Sequence, residues 1–451
     1  MSRLWPGDVP PWERDAALAS EPAHRPLPFL ALVFVFATAL AAWFPYADTA
    51  YWKSDDFLAV AYASDPARAA TDLYGNQYGL DGLVWFYRPL ITLSFALDYA
   101  IGGIDPFVSH LSNALAHALS SVFVLLLASR FVGGATAILV TLVWSLAPAN
   151  AGSILWAVGR VDSHTSVWIL ASTLAVVRAI EGRPGARFWA FLACVLALLS
   201  KEHAIVVPGI AAILGLALGA GGSRLRTAWR VTWPLGLTLG VYLAWRFALF
   251  GRLGGYGADA TPGIGALVGG FGVATMRWLN PLEYSGSAVL ELPEHVWLIG
   301  FAPIALAILI GLAKLRFGAI VTLFAVYVVA CVPLFQLLPH TGNLVNLRYL
   351  YLPGVALAGL LAIGGWLPAL LALGVWALPF LELREDWATA SRDVAARHAR
   401  ILDVAKSIPD DPLLVADLAP HNAKGTVLEL HVGVDRLARP PFARAADART
   451  I

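Results

Sequence analysis

Two adjacent carboxylates, Asp55 and Asp56, stand at the edge of a polar interval, residues 51–89, that opens YWKSDDF and closes WFYRPL. Asp65, Asp72, Asp81 and Arg88 follow among many aromatic residues. Ionisable groups held at a membrane face are costly to keep there and are functional candidates for that reason. Four other groups have chemistry in their types and spacing. His110, Asn113 and His117 lie at i, i+3 and i+7 and share one helix face. Gly159-Arg160-Val161-Asp162, with Trp156 and His164, forms a second group, and Ser200-Lys201-Glu202-His203 a third. The fourth is NLVNLRYLYLP over residues 343–353, in which Arg348 is read as beginning a membrane helix. Each has a plain structural reading beside the functional one. The histidine face could be polar glue between helices, Arg160 and Asp162 an ion pair at a helix start, the lysine cluster a solvated turn, and Arg348 an interfacial anchor.

Composition says what must position them. Of 451 residues 59% are hydrophobic and 14% charged, with 17 Trp and a mean hydropathy of +0.69. Soluble domains carry about 25% charged residues, so this is a polytopic membrane protein. A net charge of +1 gives no basic stripe for nucleic acid. Cys194 and Cys331 both fall in apolar runs and read as small buried hydrophobes.

Residues 1–27 mix Pro, Arg, Asp and Glu without periodicity and read as a cytoplasmic arm. The membrane domain covers 28–383, with first span 28–46 and a long acidic loop, 47–106, whose segment 90–101 is an interfacial helix. Further spans are expected at 107–131, 135–147, 166–180, 188–200, 205–218, 231–250, 296–313, 320–338, 350–363 and 367–381, eleven in all. Several fall short of the roughly 20 residues a crossing needs and must be completed by tilt or polar turns. The segment 266–279, with Arg277, is placed along the outer interface, because counting it as a span would put Lys314 and Arg316 outside. Residues 384–451 form a small region beyond the membrane, helical over 387–406 and strand-like over 413–418 and 426–434. The fold class is therefore an all-α polytopic bundle.

Basic residues fix the orientation. Arg130, then Arg178, Arg183 and Arg187, then Arg224, Arg226 and Arg230, then Lys314 and Arg316 fall in alternate short loops, where the one acid is Glu181. Those loops are cytoplasmic by the positive-inside rule, and the acidic first loop faces outward.

The order SDDF, YRPL, HLSNALAHAL, GRVD, LLSKEH and LRYLYLP resembles the membrane part of the transmembrane O-mannosyltransferases that carry tetratricopeptide repeats, and their bacterial relatives. The resemblance covers roughly residues 28–405. It implies the GT-C class of glycosyltransferases, which move a sugar from a polyprenyl-phosphate carrier to an acceptor on the outer or lumenal face. An acid of the first outer loop is the general base in such enzymes, which maps onto Asp55 or Asp56. The likeness to bacterial relatives implies an inner-membrane location with a site facing the periplasm. No 34-residue repeat is visible after residue 381, so a protein acceptor is not carried over, and protein and glycan acceptors both stay open.

The same residues suit that chemistry. A carboxylate takes the acceptor proton while phosphate leaves from the opposite face of the sugar, and cations stabilise the departing charge. Arg348, Lys201, Arg160 and Arg88 are the outer-face cations, with Glu202, Asp162, His110, Asn113 and His117 as further donor-binding candidates. If a helix starts at Phe57, Asp56 is its cap and Asp55 is the base; if it starts two residues earlier, Ser54 caps and either acid serves. No metal ligand set is assigned. Adjacent Asp residues can hold a divalent ion, but a single-phosphate donor has less need of one. The competing class is a transporter or flippase of a lipid-linked sugar, which would show paired broken helices that this sequence lacks. Reporter enzymes active only in the periplasm should be active when fused after Asp410 and silent after Arg316. The opposite pattern would put the acidic loop on the wrong side for this chemistry.

Overall fold

In hydrocarbon a backbone amide has no water to bond, so an apolar chain satisfies its N–H and C=O groups within helices. The computed structural model describes residues 27–44, 50–80, 82, 84–255, 263–284, 298–340, 344–407, 427, 429–430 and 434–443, and among them there are helices and turns and no strand. The chain is an all-α polytopic membrane protein. Helix α1 is Phe29–Trp43; α2, Asp55–Ala63, and α3, Pro66–Thr71, lie in the first loop, and α4, Pro89–Gly102, is the segment read as interfacial. Next come α5, Pro106–Ala128; α6, Gly134–Ser145; α7, Ala151–Ile154; α8, Arg160–Ile180; α9, Ala186–Leu198; α10, Val207–Leu218; and α11, Arg224–Phe250. The remaining helices are α12, Ile264–Leu279; α13, Ala302–Ala313; α14, Phe317–Cys331; α15, Pro353–Ile363; and α16, Trp366–Ser407.

Among the described residues, five helical segments are long and apolar enough to cross a membrane, or six if the bent pair formed by α6 and Pro148–Ile154 counts as one span. The 52° bend falls at Ala147-Pro148, where proline cannot continue a helix. The eleven spans expected from the sequence would have to include shorter apolar helices of 10–17 residues, each completed by polar turns.

Three expectations are corrected. The fourth membrane helix begins at Arg160, not 166, so Arg160, Asp162 and His164 occupy its first turns instead of a loop. Residues 387–406 are no separate helix but continue α16, which runs unbroken for 42 residues through Pro379. At 1.5 Å per residue that is about 63 Å, twice the thickness of the hydrocarbon layer, so its polar half from Arg384 must extend beyond that layer on one side. Arg348 does not begin a membrane helix; it lies in a 3-10 turn, Leu344–Leu350, ahead of α15. The strand expected at 413–418 lies outside the described residues, and the described residues of 426–434 form no strand. Cys194 and Cys331 are buried and unpaired, as small apolar side chains.

The bundle is tied at its centre by aromatic side chains with polar handles. Trp144 donates its indole N–H to the Tyr351 carbonyl (2.9 Å) and Trp43 to the Ser145 carbonyl (3.1 Å). His117 stacks on Trp144, with centroids 5.2 Å apart, and bonds the Tyr351 hydroxyl (2.7 Å) and Ser145. Helices α1, α5, α6 and the segment before α15 are thereby fixed to one another. The turn leading into α8 is as tight: a Cβ on Gly159 would lie 2.0 Å from the Gly152 carbonyl oxygen. Backbone cannot yield that far. Gly159→Ala should therefore cost about 1–3 kcal/mol of stability, read as a lower thermal midpoint in detergent, because overpacking here meets main chain and no flexible side chain.

Candidate functional site

The first loop presents its two carboxylates differently. Helix α2 begins at Asp55, and Ser54 before it has φ 46° and ψ −120°. The Asp56 N–H donates to the Lys53 carbonyl (3.0 Å), so residues 53–56 make a tight turn with Ser54 at a position that glycine favours. A non-glycine residue there stores about 1–3 kcal/mol of strain. The Ser54 hydroxyl does not cap the helix; it donates to Asp55 Oδ1 (3.1 Å).

Asp56 is fully buried. Its Oδ2 accepts the Lys53 N–H (2.9 Å) and its Oδ1 the Val158 N–H (2.7 Å), which fastens the loop to the turn before α8. Burial pushes this carboxyl up, to about 7, and pushes the buried Lys53 ammonium down, to about 8. A carboxyl titrating near 7 would suit a base, but both oxygens here are occupied by main chain and no acceptor reaches them. Asp55 is half-buried and adjacent. Since the Asp56 oxygens face two backbone amides, the pair does not fit as a joint chelate for one divalent ion. Among the described residues no three of His, Cys, Asp and Glu converge on a point.

A cationic cluster stands beside this loop. Glu202, in a 3-10 turn ahead of α10, accepts from Arg88 Nε (2.8 Å) through one oxygen and from Arg246 Nη1 (2.8 Å) through the other. Its Oε1 also accepts the Tyr87 N–H (3.3 Å). Arg246, near the end of α11, reaches on to the carbonyls of Leu253 and Trp85. Lys201 pairs with Asp162, and Arg348 Nε lies 3.8 Å from the other Asp162 oxygen. Arg348 also bonds Asn346 Oδ1 (3.0 Å) and rests over Trp156, 4.6 Å from the ring centroid. Burial lowers the Lys201 ammonium from its usual range; Asp162 opposes this, while Arg88 and Arg348 add to it. Four cations thus surround two carboxylates, leaving a net positive field.

Arg88 links this cluster to the acidic loop. The charges of Asp55, Asp72, Arg88 and Arg160 all reach the buried Tyr78 hydroxyl, which has no hydrogen-bond partner among the described residues. One residue before Arg88, Tyr87 ends an apolar groove of about 470 Å³ between α9 and α11, lined by Leu198, Trp233, Leu237, Tyr242 and Trp245.

Other candidates are built into the scaffold. Arg160 is fully buried and pairs with Asp98 (2.6 Å), Ser94, and the carbonyls of Ser109 and Ala157, so it clamps α4, α5 and α8 together. Asn113 donates to the carbonyls of Ile154, Trp156 and Ala157, which tie α5 to the turn between α7 and α8. His110 bonds the Pro106 carbonyl (2.8 Å) within its own helix. With His117 these residues form the polar seam that their spacing also allowed. Sequence reading passed over Arg246, Lys53 and Tyr78. Arg246 had a signal: it is a charge inside the apolar run 231–250, and such charges mark sites.

This geometry defines a class: a polytopic helical membrane protein with a cluster of buried and half-buried cations next in the chain to the residues that line an apolar groove. No protein-family model matches the chain. Over about a third of its length it is related to the protein O-mannosyl-transferases. It is 29% identical to protein O-mannosyl-transferase TMTC3 of Homo sapiens over 190 residues, 38% of this chain and 21% of that protein. It is 30% identical to protein O-mannosyl-transferase tmtc2 of Xenopus laevis over 149 residues, 32% of this chain and 18% of that protein. The chain thus spans about a fifth of the length of the curated relatives it matches. Among solved structures, ArnT from Cupriavidus metallidurans, crystallised with undecaprenyl phosphate, superposes with a TM-score of 0.49 at 16% identity. That superposition covers 90% of this chain and 86% of that one.

The bonding of Asp56 carries a stability prediction. Asn has one acceptor oxygen where Asp56 uses two, so Asp56→Asn sets an NH₂ group against a backbone N–H. The loss should be about 1–3 kcal/mol, measured as a lowered thermal midpoint. A midpoint equal to wild type would mean that Asp56 does not fasten the loop.

Proposed function

We propose that this chain is a membrane glycosyltransferase that moves a sugar from a polyprenyl-phosphate donor to a protein or glycan acceptor at the outer face of the bilayer. The observation that carries the reading is the cluster of Arg88, Lys201, Arg246 and Arg348 around Glu202 and Asp162, in which Arg88 and Arg246 each follow a residue lining the apolar groove and Arg348 rests on Trp156, whose indole holds the Lys53 carbonyl of the turn that carries Asp55. Such a place suits an amphiphile with an anionic head, its tail in the groove and its phosphate among the cations. Arg348 is the cation assigned to the phosphate, because it is half-buried and shares Asp162 with Lys201, so a second anion there would meet two cations. The kinship with proteins named O-mannosyl-transferases supports a mannose-like sugar.

In this reading Asp55 takes the proton of the acceptor hydroxyl as that oxygen bonds the anomeric carbon. The bond from the anomeric carbon to the phosphate oxygen breaks on the opposite face, its electron pair leaves with the polyprenyl phosphate, and the sugar inverts. The cations hold the charge that develops on the phosphate, where fixed donors are most effective. Asp56 and Arg160 act through the main chain they hold.

Transfer from a radiolabelled polyprenyl-phosphate mannose tests the roles. Asp55→Asn should cut turnover by roughly 10²- to 10⁴-fold with donor binding kept, since it removes basicity and little else. Full turnover in that variant would end the assignment of Asp55. Arg348→Ala should weaken donor use strongly, and Arg348→Lys should restore it in part, because lysine offers a point charge in place of the planar fork. Unchanged donor kinetics in Arg348→Ala would leave Arg348 an interfacial anchor.

A further inference from the structure

The turn that carries Asp55 is held from the far end of the chain. Ser54 donates its N–H to the Glu429 carbonyl (2.7 Å), a partner some 370 residues away. The Glu429 side chain is buried and pairs with Arg397 Nη1 (2.9 Å) on the outer half of α16. One helical position on, His398 bridges the same two segments. Its Nε2 lies 2.8 Å from the Leu437 carbonyl and its Nδ1 2.8 Å from the Tyr51 hydroxyl. A carbonyl can only accept, so Nε2 carries the proton and Nδ1 accepts from Tyr51 in the neutral ring, the form that burial favours. Phe442 closes the contact against Phe57, with ring centroids 4.9 Å apart, and against His398. Val394, Leu430, Leu437 and Phe442 share one apolar core with Trp52 and Phe57 of the first loop.

We propose that Glu429, Leu430 and residues 434–442, braced by Arg397 and His398, are a positioning clamp for the first-loop turn, and that the clamp sets the direction of Asp55. The left-handed backbone of Ser54 is the reason a clamp is needed. A serine leaves that conformation unless its surroundings over-determine it, and relaxation of φ at Ser54 would swing the residue that follows. The main-chain bond from Glu429 is the contact that holds the Ser54 amide, and the Arg397 pair keeps a buried carboxylate from pulling its segment toward water. Arg397, His398 and Glu429 touch neither donor nor acceptor in this account. They act through Ser54. The catalytic half of the proposal rests on the role of Asp55 proposed above; the mechanical half does not.

The test uses the full chain in lipid nanodiscs, with Arg397→Ala, Arg397→Lys, Ser54→Gly and the double variant Ser54→Gly/Arg397→Ala. Amide exchange of the peptide covering residues 51–57 reads the clamp without any substrate. It should speed up about tenfold in Arg397→Ala and return toward wild type in Arg397→Lys, while peptides from α5 and α8 keep their rates, as expected for a local opening. Turnover with polyprenyl-phosphate mannose should fall about 10- to 100-fold in Arg397→Ala at unchanged donor KM, the signature of a misdirected group. Glycine takes the turn conformation unaided, so the double variant should recover most of that loss. Exchange over 51–57 equal to wild type in Arg397→Ala would overturn the clamp. An equal loss of turnover with and without Ser54→Gly would overturn its action through the turn. If wild type transfers nothing from the probe, the exchange result still decides the clamp, and the failure belongs to the proposed reaction.

Discussion

Charge buried at the edge of a membrane must be paired, and Glu202 is where this chain meets that constraint. One carboxylate holds Arg88 from the first loop and Arg246 from α11, and takes the Tyr87 amide as well. Removal of Glu202 would take a shared carboxylate from two buried guanidinium groups, which costs far more than the pair is worth in isolation. Through those bonds the end of the long loop, the end of α11 and the turn ahead of α10 become one rigid unit. Tyr87, Tyr242 and Trp245 of the apolar groove, with the cations Arg88 and Arg246, take their places from that unit.

The acidic pair divides the remaining work by position. Asp56 spends both oxygens on backbone amides and is sealed from solvent, while Asp55 stays half-buried at the first turn of α2. Fixing the second residue lets the first be placed accurately, and the strain at Ser54 is part of that placement. The same economy recurs with Arg160 and Asn113, which look like site residues by type and instead fasten α4, α5 and the turn before α8.

The kinship to the protein O-mannosyl-transferases runs over about a third of this chain and about a fifth of theirs. Within the chain, the groups that gather at one place come from the first loop, the turn ahead of α10, the end of α11 and the turn before α15. A site assembled from segments so far apart depends on the packing of the whole bundle.

The sequence alone determined the solvent and, with it, the class. An apolar chain with 14% charged residues has to be helical in a membrane, and most helices fall within a few residues of where hydropathy put them. It also marked most of the charged groups that meet, since an ionisable side chain in an apolar run is conspicuous. What tertiary structure decided was which of them are occupied. Arg160 and Arg348 are alike in sequence, yet one is sealed by four bonds and an aromatic ring, and the other lies half-buried over Trp156 beside Asp162. Arg246 sat in plain view inside a span but had no visible partner, because Glu202 lies 44 residues away. The link from residue 54 to residue 429 had no local signal at all, since a main-chain bond depends on where the backbone passes and not on the residue types it joins. Pairing in a low dielectric is set by distance in space, and a chain must fold before those distances exist.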